Sequence, residues 1–205
     1  DWEAHAERQP LLNSPDPSYH GAVWTQAVKP LGPIAYILRA RVILLRDLGA
    51  SLSPFNAFQL IQGVETVALR MERHCANAEK VAAYLADRAG VTRVIHPSQQ
   101  SGEARARADR NLKGGYGGLV GFELAGGVEA GRQFIDALKL FYHVANIGDA
   151  RSLAIHPAST THSQLTAEEQ AATGVSPGYV RLSIGIEHID DILADLDQAL
   201  TAAGA

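Results

Sequence analysis

The sequence predicts an α+β fold, in which a long connecting helix precedes a small, mostly antiparallel sheet with helices on one face. From Val64 to Leu85, apolar side chains recur with the period of a helix for about six turns. After Gly90, short β-branched or apolar runs alternate with helical ones. Several of these runs are joined by connections too short for the crossover that parallel strands need. These features indicate a single layer of strands packed against helices.

The composition excludes several classes of protein. Of the 205 residues, 46% are hydrophobic and 20% charged, as in ordinary globular domains. The net charge of −4 offers no positive surface for phosphate backbones or anionic lipids, so we expect no nucleic-acid partner and no membrane. The single Cys75 cannot form an intramolecular disulfide, and no apolar run approaches the roughly 18 residues of a spanning helix. Without a leader-like start, the expected location is cytoplasmic.

The first third of the chain is predicted to contain two helical segments after an irregular start. Four prolines among polar residues predict irregular chain over Asp1–Gly32. From Pro33 the pattern becomes helical, and Gly49 is its predicted end. Ser53 before Pro54 is typical of a helix N-terminus, where a capping hydroxyl precedes proline at the first helical position.

The rest of the chain is predicted to supply the sheet and its covering helices. The last helix has an apolar stripe from Ile189 to Leu200, with Asp195 among the acidic residues on its polar side. Thr166 and Glu169 fit a helix capping box. The predicted strands are Val91–Ile95, Leu119–Leu124, Tyr142–Ala145, Leu153–Ile155 and Tyr179–Ile184, and a further helix is predicted at Val128–Leu140.

Arg181 is the first candidate for a binding residue. The strand that contains it alternates, which places Arg181 at mid-strand on the polar face. There its planar guanidinium could hold a carboxylate or a phosphate through two parallel hydrogen bonds. The alternation alone favours an arginine that extends to solvent or pairs with an acid.

The loop over residues 145–162 is rich in small, hydroxyl and imidazole groups, the kind of loop in which binding residues concentrate. His156 and His162 lie six residues apart without a nearby cysteine, so ordinary hydrogen-bonded histidines are favoured over a metal-dependent hydrolase.

The glycine-rich run Lys113–Gly118 precedes a strand instead of opening a helix. This position favours a glycine-rich entry to the strand over a phosphate-binding loop.

Two stretches together carry a family resemblance. Asn146–Asp149 with His156–His162, followed by Val180–Glu187, resembles the C-terminal signature of the Cys/Met-metabolism pyridoxal 5'-phosphate (PLP) enzymes. Within that family the sequence is most similar to the O-acetylhomoserine sulfhydrylases. The resemblance extends over nearly the whole chain and includes Pro17–Gly21, Arg41–Gly49, Ser53–Phe58 and Leu69–His74.

The resemblance implies a fold and a site. The chain would be the C-terminal part of a fold-type-I PLP enzyme, with residues 1–60 as the tail of the large PLP-binding domain and the start of the linking helices. Residues 61–205 would form the long connecting helix and the small C-terminal domain. The resemblance also implies that Arg181 binds the substrate α-carboxylate, that Asn146 lies beside it at the substrate and cofactor, and that Thr161 supports Arg181. Related lyases and synthases have serine in place of Asn146, which favours the sulfhydrylase branch.

The implied reaction is a γ-replacement in which O-acetylhomoserine and sulfide, or a thiol, give homocysteine, or methionine, and acetate. The family further implies a homotetramer and a place in methionine biosynthesis. A γ-lyase or an O-succinylhomoserine sulfhydrylase remains an alternative within the family. A non-catalytic binding or assembly module is the alternative outside it.

The family's Schiff-base lysine is expected upstream of this sequence, because none of the four lysines matches it: Lys29, Lys80, Lys113 and Lys139. No catalytic residue is therefore assigned here, and the chain alone is expected to be inactive. The chain begins at Asp1 and contains one methionine, Met71, which indicates a piece of a longer protein. Exposed apolar surface on Ile34–Leu45 and on the first long helix would favour a fragment over a stand-alone module.

Overall fold

The computed structural model of the protein describes residues 1–205 and divides them into two units, Asp1–Gln62 and Gly63–Ala205. The boundary falls within a helix, and the two units are described in turn. The assignment of residues 1–60 to a large cofactor domain stays a prediction. None of the helices is both long and apolar enough to cross a membrane.

The first unit consists of short helical turns, so the prediction of irregular chain up to Gly32 was wrong. Proline causes this difference, because its fixed φ suits the first residue of a helical turn. Pro10 and Pro17 each begin one such turn. The helices are α1 (Pro10–Asn13), α2 (Trp24–Ala27), α3 (Ala35–Arg39) and a π-helical continuation (Ala40–Asp47), with 3₁₀ turns at Ala6–Arg8, Pro17–Tyr19 and Lys29–Leu31.

A small apolar cluster holds these turns together. Leu12, Trp24, Val28 and Ala35 are buried against one another. The Trp24 indole Nε1 donates to the Asp16 carboxylate at 2.9 Å, so the polar edge of the ring is also satisfied.

Helix α4 (Pro54–Glu65) follows and begins as predicted, with the Asn56 backbone N–H donating to Ser53 Oγ at 3.1 Å. This helix buries no side chain. The predicted continuous helix is interrupted at Thr66, and α5 (Val67–Ala86) follows. The large apolar side chains of α4 are all more than half exposed: Phe55, Phe58, Leu60, Ile61 and Val64.

The second unit is the predicted α+β layer. Its five strands lie in the order β1-β2-β5-β4-β3 and are antiparallel except for the β3–β4 pair. The strands are β1 (Val91–Ile95), β2 (Leu119–Leu124), β3 (Tyr142–His143), β4 (Leu153–Ile155) and β5 (Tyr179–Ser183). The remaining helices are α6 (Gly102–Asn111), α7 (Gly127–Ala137), α8 (Ala167–Ala172) and α9 (Ile189–Ala202).

One face of the sheet packs against α5, α7 and α9 and forms the main core. Phe122 of β2 and Phe134 of α7 meet edge to face at a ring-centroid distance of 5.3 Å, and both are fully buried. Edge-to-face contact suits the charge distribution of aromatic rings. Because this face takes the helices, the polar side chains of β5 lie on the other face.

The prediction that Asp195 lies on the polar side of α9 was wrong, because its side chain is buried. Its carboxylate accepts the backbone N–H groups of Lys139 and Leu140, each at 2.9 Å, and of Phe141 at 3.3 Å. The chain between α7 and β3 lacks backbone partners for these donors, and the Asp195 carboxylate supplies them.

Candidate functional site

The candidate site is built on β5, the central strand of the sheet. Val180, Leu182 and Ile184 are buried in the core, as their alternation predicts. Arg181 therefore lies on the opposite face, in register with Gly121 of β2 and Ile155 of β4. Because β5 is paired on both sides, the backbone that carries Arg181 is fixed by two hydrogen-bond ladders.

Arg181 and Asn146 are brought together, as the resemblance implies. The Arg181 Nη2 donates to the Asn146 carbonyl oxygen at 3.1 Å. The Arg181 Nε is buried and has no hydrogen-bond partner. A buried donor without a partner costs free energy, so a ligand that accepts from this nitrogen is favoured. A guanidinium with free donors in one plane fits a carboxylate.

The loop segment that carries Asn146, residues 146–149, is held at several points. The Asn146 Oδ1 accepts the backbone N–H of Ile147 at 2.9 Å, and Asp149 Oδ1 accepts that of Arg151 at 3.0 Å. The Gly148 backbone N–H donates to Ser183 Oγ at 3.0 Å. The segment is thus fastened to the same strand that carries Arg181.

Tyr179 forms a wall beside Arg181. A Cβ placed on Gly121 would lie 2.8 Å from the Cε2 atom of the Tyr179 ring, so the ring covers the space that glycine leaves open. Burial raises the pKa of the Tyr179 hydroxyl, the positive charge of Arg181 lowers it, and the negative charge of Glu123 raises it. The site therefore has an apolar surface on one side of the guanidinium.

The turn after β5 is fixed by His74 and Asn77, two polar residues that were not predicted as site residues. Asn77 Nδ2 donates to the carbonyl oxygens of Gly185 at 3.1 Å and Glu187 at 3.0 Å. His74 Nδ1 donates to the Ile184 carbonyl at 2.6 Å. His74 and Asn77 each precede a core residue of α5 by four positions, Ala78 and Val81. A polar residue in line with an apolar helical stripe was the signal that could have found them.

Glu187 joins this turn to the loop before β4. Its carboxylate accepts the Ser152 backbone N–H at 2.6 Å and the Ser152 hydroxyl at 2.9 Å. The Ser152 hydroxyl oxygen in turn accepts the Gly185 backbone N–H at 2.9 Å. These hydrogen bonds connect the turn after β5 with the loop before β4.

Thr161, the third predicted site residue, lies on the exposed surface of the following loop. Its Oγ1 is 2.9 Å from His162 Nδ1. This is the side-chain hydrogen bond that the structure shows for Thr161, so its support of Arg181 stays a prediction.

His156 is a hydrogen-bonded buried histidine. Its Nδ1 lies 2.8 Å from Ser159 Oγ, and its Nε2 lies 2.8 Å from the Pro177 carbonyl oxygen. A carbonyl only accepts, so Nε2 carries the proton and Nδ1 accepts from the serine hydroxyl. Residues 1–205 contain no group of three or more His, Cys, Asp or Glu side chains that could hold a metal ion. His156 and His162 thus belong to no such group.

The burial of His156 predicts a pH-dependent stability. Burial lowers its pKa below the ordinary value of 6.5, so the unfolded chain binds a proton at a higher pH than the folded chain. Its stabilising contribution is complete above 6.5 and is lost as the pH falls toward the lowered pKa. Urea unfolding between about pH 7 and pH 5 should show decreasing stability. His156→Gln should weaken this dependence, while exposed His5→Gln should keep it; equal slopes in all three proteins would contradict the prediction.

The four lysines do not fit a covalent cofactor site within this chain. All four are exposed, and Lys29 pairs with Glu3 at 3.3 Å while Lys113 donates to the Asp109 carbonyl at 2.6 Å. The hydrogen bonds that the structure shows for Arg181, Asn146 and Ser183 involve no lysine side chain. The guanidinium of Arg181 has a donor free for an acceptor such as a carboxylate, and the position of the Schiff-base lysine upstream of this sequence stays a prediction.

Comparisons with known proteins identify the family of this chain. The family model described as Cys/Met metabolism PLP-dependent enzyme matches residues 19–201, which is most of the chain. The chain belongs to this family. The PLP-dependent family was also the one predicted from the sequence, and the mostly antiparallel sheet confirms the predicted fold class.

Relatives in this family cover nearly the whole chain. The O-acetyl-L-homoserine sulfhydrylase of Leptospira meyeri is 54% identical over 92% of this chain and 44% of its own length. The homocysteine synthase of Schizosaccharomyces pombe is 45% identical over 99% of this chain and 47% of its own length. The chain thus spans slightly less than half the length of the curated relatives it matches.

A solved structure extends the likeness to the fold. A protein from Campylobacter jejuni, named as an O-acetylhomoserine (thiol)-lyase and crystallised with pyridoxyl-lysine monophosphate, superposes with a TM-score of 0.80 at 44% identity. The superposition covers 93% of this chain and 44% of that protein. The Cys/Met-family architecture is therefore shared in three dimensions as well as in sequence.

Proposed function

We propose that this chain is the C-terminal part of a PLP-dependent γ-replacement enzyme. The enzyme would convert O-acetylhomoserine and sulfide, or a thiol, into homocysteine, or methionine, and acetate. The names of the relatives support this reaction. The observation that carries the role of this chain is the buried Arg181 Nε without a partner, beside the Asn146 carbonyl. We assign to Arg181 the binding of the substrate α-carboxylate.

In this proposal Arg181 orients the amino acid. When bound, PLP supplies the electron sink that stabilises negative charge at the substrate α-carbon. Arg181 keeps Nη2 on Asn146 and presents its remaining donors, Nε among them, to the carboxylate. Parallel charge-assisted hydrogen bonds fix both the position and the direction of the carboxylate. That orientation decides which bond of the α-carbon is aligned for reaction.

Two neighbours refine this binding. The Oδ1 of Asn146 already accepts the Ile147 N–H, and its amide Nδ2 is the donor that Asn146 can offer to a substrate oxygen. The Tyr179 ring over Gly121 excludes water from one side of Arg181. Hydrogen bonds in such a partly desolvated place are stronger than in bulk water.

The exposed apolar surface supports a fragment of a larger enzyme over a stand-alone module. The side chains of Phe55, Phe58 and Ile61 on α4 are 68%, 57% and 56% exposed. Apolar surface of this extent on one helix marks a contact surface. We propose that the rest of the enzyme covers α4, that residues 1–60 belong to the large domain, and that residues 61–205 form the connecting helix and small domain. A cytosolic homotetramer completes the proposal.

Replacing Arg181 tests the proposal. In the full-length enzyme, Arg181→Ala should lower kcat/KM for O-acetylhomoserine about 10- to 150-fold, because charge-assisted hydrogen bonds contribute about 1.5–3 kcal/mol. The KM for sulfide should not change. Arg181→Lys keeps the charge without the planar fork and should give an intermediate loss. Steady-state kinetics with each substrate varied in turn would measure these effects.

The matched control is Arg105→Ala, which removes an arginine that pairs with Asp109 on the surface of α6. It should leave kcat/KM unchanged. An Arg181→Ala enzyme with wild-type kcat/KM for O-acetylhomoserine would refute the assignment. Assays with O-succinylhomoserine and with methanethiol would decide the ester and the thiol, and we expect a preference for the acetyl ester and sulfide.

A further inference from the structure

We infer that Ser183 and Gly148 are positioning residues that hold the Asn146 carbonyl against Arg181 and thereby set where the carboxylate-binding guanidinium lies. The inference rests on the proposed function, because it concerns the same arginine. It adds two residues that act through the loop segment 146–149 and do not themselves touch the substrate.

Arg181 and Ser183 contact the same short segment from the same strand. They are two positions apart on β5, so their side chains lie on one face of the sheet. Arg181 Nη2 donates to the Asn146 carbonyl at 3.1 Å, and Ser183 Oγ accepts the Gly148 N–H at 3.0 Å. The segment is thus held by one strand at two points, and one of these points is the arginine itself.

Ser183 is suited to fix the segment because it hardly moves. Its backbone pairs with Leu119 of β2 on one side and Leu153 of β4 on the other. It is 3% exposed, so water has little access to compete for its hydroxyl. A buried hydroxyl on a strand with two neighbours is a rigid acceptor for the Gly148 N–H.

Gly148 gives the segment the backbone shape that this bond needs. Its φ is +76°, in the left-handed region that is unfavourable for residues with a Cβ atom. No atom lies within 4 Å of a Cβ built at this position. Gly148→Ala would therefore act through backbone conformation alone and would draw the segment away from Ser183.

Arg181 depends on the segment because the Asn146 carbonyl is the protein acceptor that the structure shows for its guanidinium. A long, flexible side chain without this anchor samples several positions. The substrate carboxylate would then meet the arginine in the right place less often, which raises the KM for the amino acid. Sulfide has no carboxylate, so its KM should not respond.

The test uses the full-length, PLP-loaded enzyme. Ser183→Ala and Gly148→Ala should each raise the KM for O-acetylhomoserine about five- to tenfold, the effect of losing one neutral hydrogen bond. The kcat should stay within about twofold of the wild-type value, and the KM for sulfide should stay constant. Ser183→Thr restores a hydroxyl at the same place and should return the KM to within about twofold of the wild type.

Gly174→Ala is the matched control for Gly148→Ala. Gly174 follows α8 with a φ of +83°, and no atom lies within 4 Å of a Cβ there either. The two substitutions carry the same kind of backbone strain, so both should lower thermal stability by similar amounts. Only Gly148→Ala should raise the KM.

A double variant separates action through Arg181 from a general loss of structure. If Ser183 acts through Arg181, adding Ser183→Ala to Arg181→Ala should raise the KM little beyond that of Arg181→Ala alone. Additive effects would overturn the inference. So would wild-type KM values in Ser183→Ala and Gly148→Ala while Arg181→Ala is impaired, or equal changes in Gly148→Ala and Gly174→Ala. An unimpaired Arg181→Ala enzyme would instead refute the proposed function itself.

Discussion

Asp195→Ala should lower the free energy of unfolding by about 3–5 kcal/mol, because it leaves backbone N–H donors unsatisfied at a cost of about 1–3 kcal/mol each. The Asp195 carboxylate is buried and accepts three consecutive backbone N–H groups, from Lys139 to Phe141. Alanine leaves these donors without an acceptor in a place that water reaches poorly. Urea unfolding of the full-length protein, monitored by circular dichroism, would measure the loss.

Asp197→Ala is the control for Asp195→Ala on the same helix. Asp197 pairs with Arg88 at 2.7 Å, but both side chains are substantially exposed, so its removal should cost about 0–1 kcal/mol. Asp195→Asn keeps one acceptor oxygen and should fall between the two. Equal losses for Asp195→Ala and Asp197→Ala would show that the chain between α7 and β3 does not depend on the buried carboxylate.

Phe122→Ala should also cost about 3–5 kcal/mol, since it combines lost burial with a cavity at the centre of the core. Phe122 is fully buried between the sheet and α7, and its ring meets Phe134 edge to face. Removing the ring takes away that contact, and neighbours fixed by the sheet cannot collapse into the space.

Two variants delimit the effect of Phe122→Ala. Phe122→Leu refills most of the volume and should cost clearly less. Val128→Ala on α7 removes a side chain that is 39% exposed and should cost less than about 1 kcal/mol. A cost for Phe122→Ala as small as that for Val128→Ala would mean that the core repacks around the missing ring.

The second unit was largely predictable from its sequence. The strands β1, β2 and β4 have the predicted bounds, because short apolar runs between turn residues leave little freedom in placing a strand. The alternation in β5 correctly divided its residues between the core and the polar face. The capping box at Thr166 and Glu169 is also formed, since it depends only on residues close in the chain.

The predictions from sequence were wrong where contacts between residues far apart in the chain determine the structure. Asp195 looks like any acidic residue on a helix surface, and its burial follows from unpaired N–H groups that lie more than 50 residues away in the chain. The same applies to Asn77, whose partners Gly185 and Glu187 lie more than 100 positions further on. In the first unit, separate prolines begin ordered helical turns. The apolar residues that pack these turns together do not recur at a regular spacing, so they leave no periodic signal in the sequence.

In the candidate site, too, the residue pattern predicted local features correctly but not long-range contacts. Alternation placed Arg181 on the polar face of its strand but favoured a solvent-directed side chain. The structure instead buries its Nε and places Nη2 on the Asn146 carbonyl. Only the family resemblance joined Arg181 to Asn146, because two residues 35 positions apart in the chain carry no local signal of contact. The contact of Ser183 with Gly148 has no signal in the sequence either, since serines are common in strands.

The strand order has a consequence for how the protein is made. β5 is the last strand in the chain, and it lies between β2 and β4. Until residues near Ser183 emerge during synthesis, the antiparallel β1–β2 pair and the parallel β3–β4 pair are separate pieces with open edges. Open edges are aggregation-prone, and pairing over long sequence separations is slow. The sheet therefore cannot close before the strand that carries Arg181 has left the ribosome, and the contact between Arg181 and Asn146 forms only at that stage.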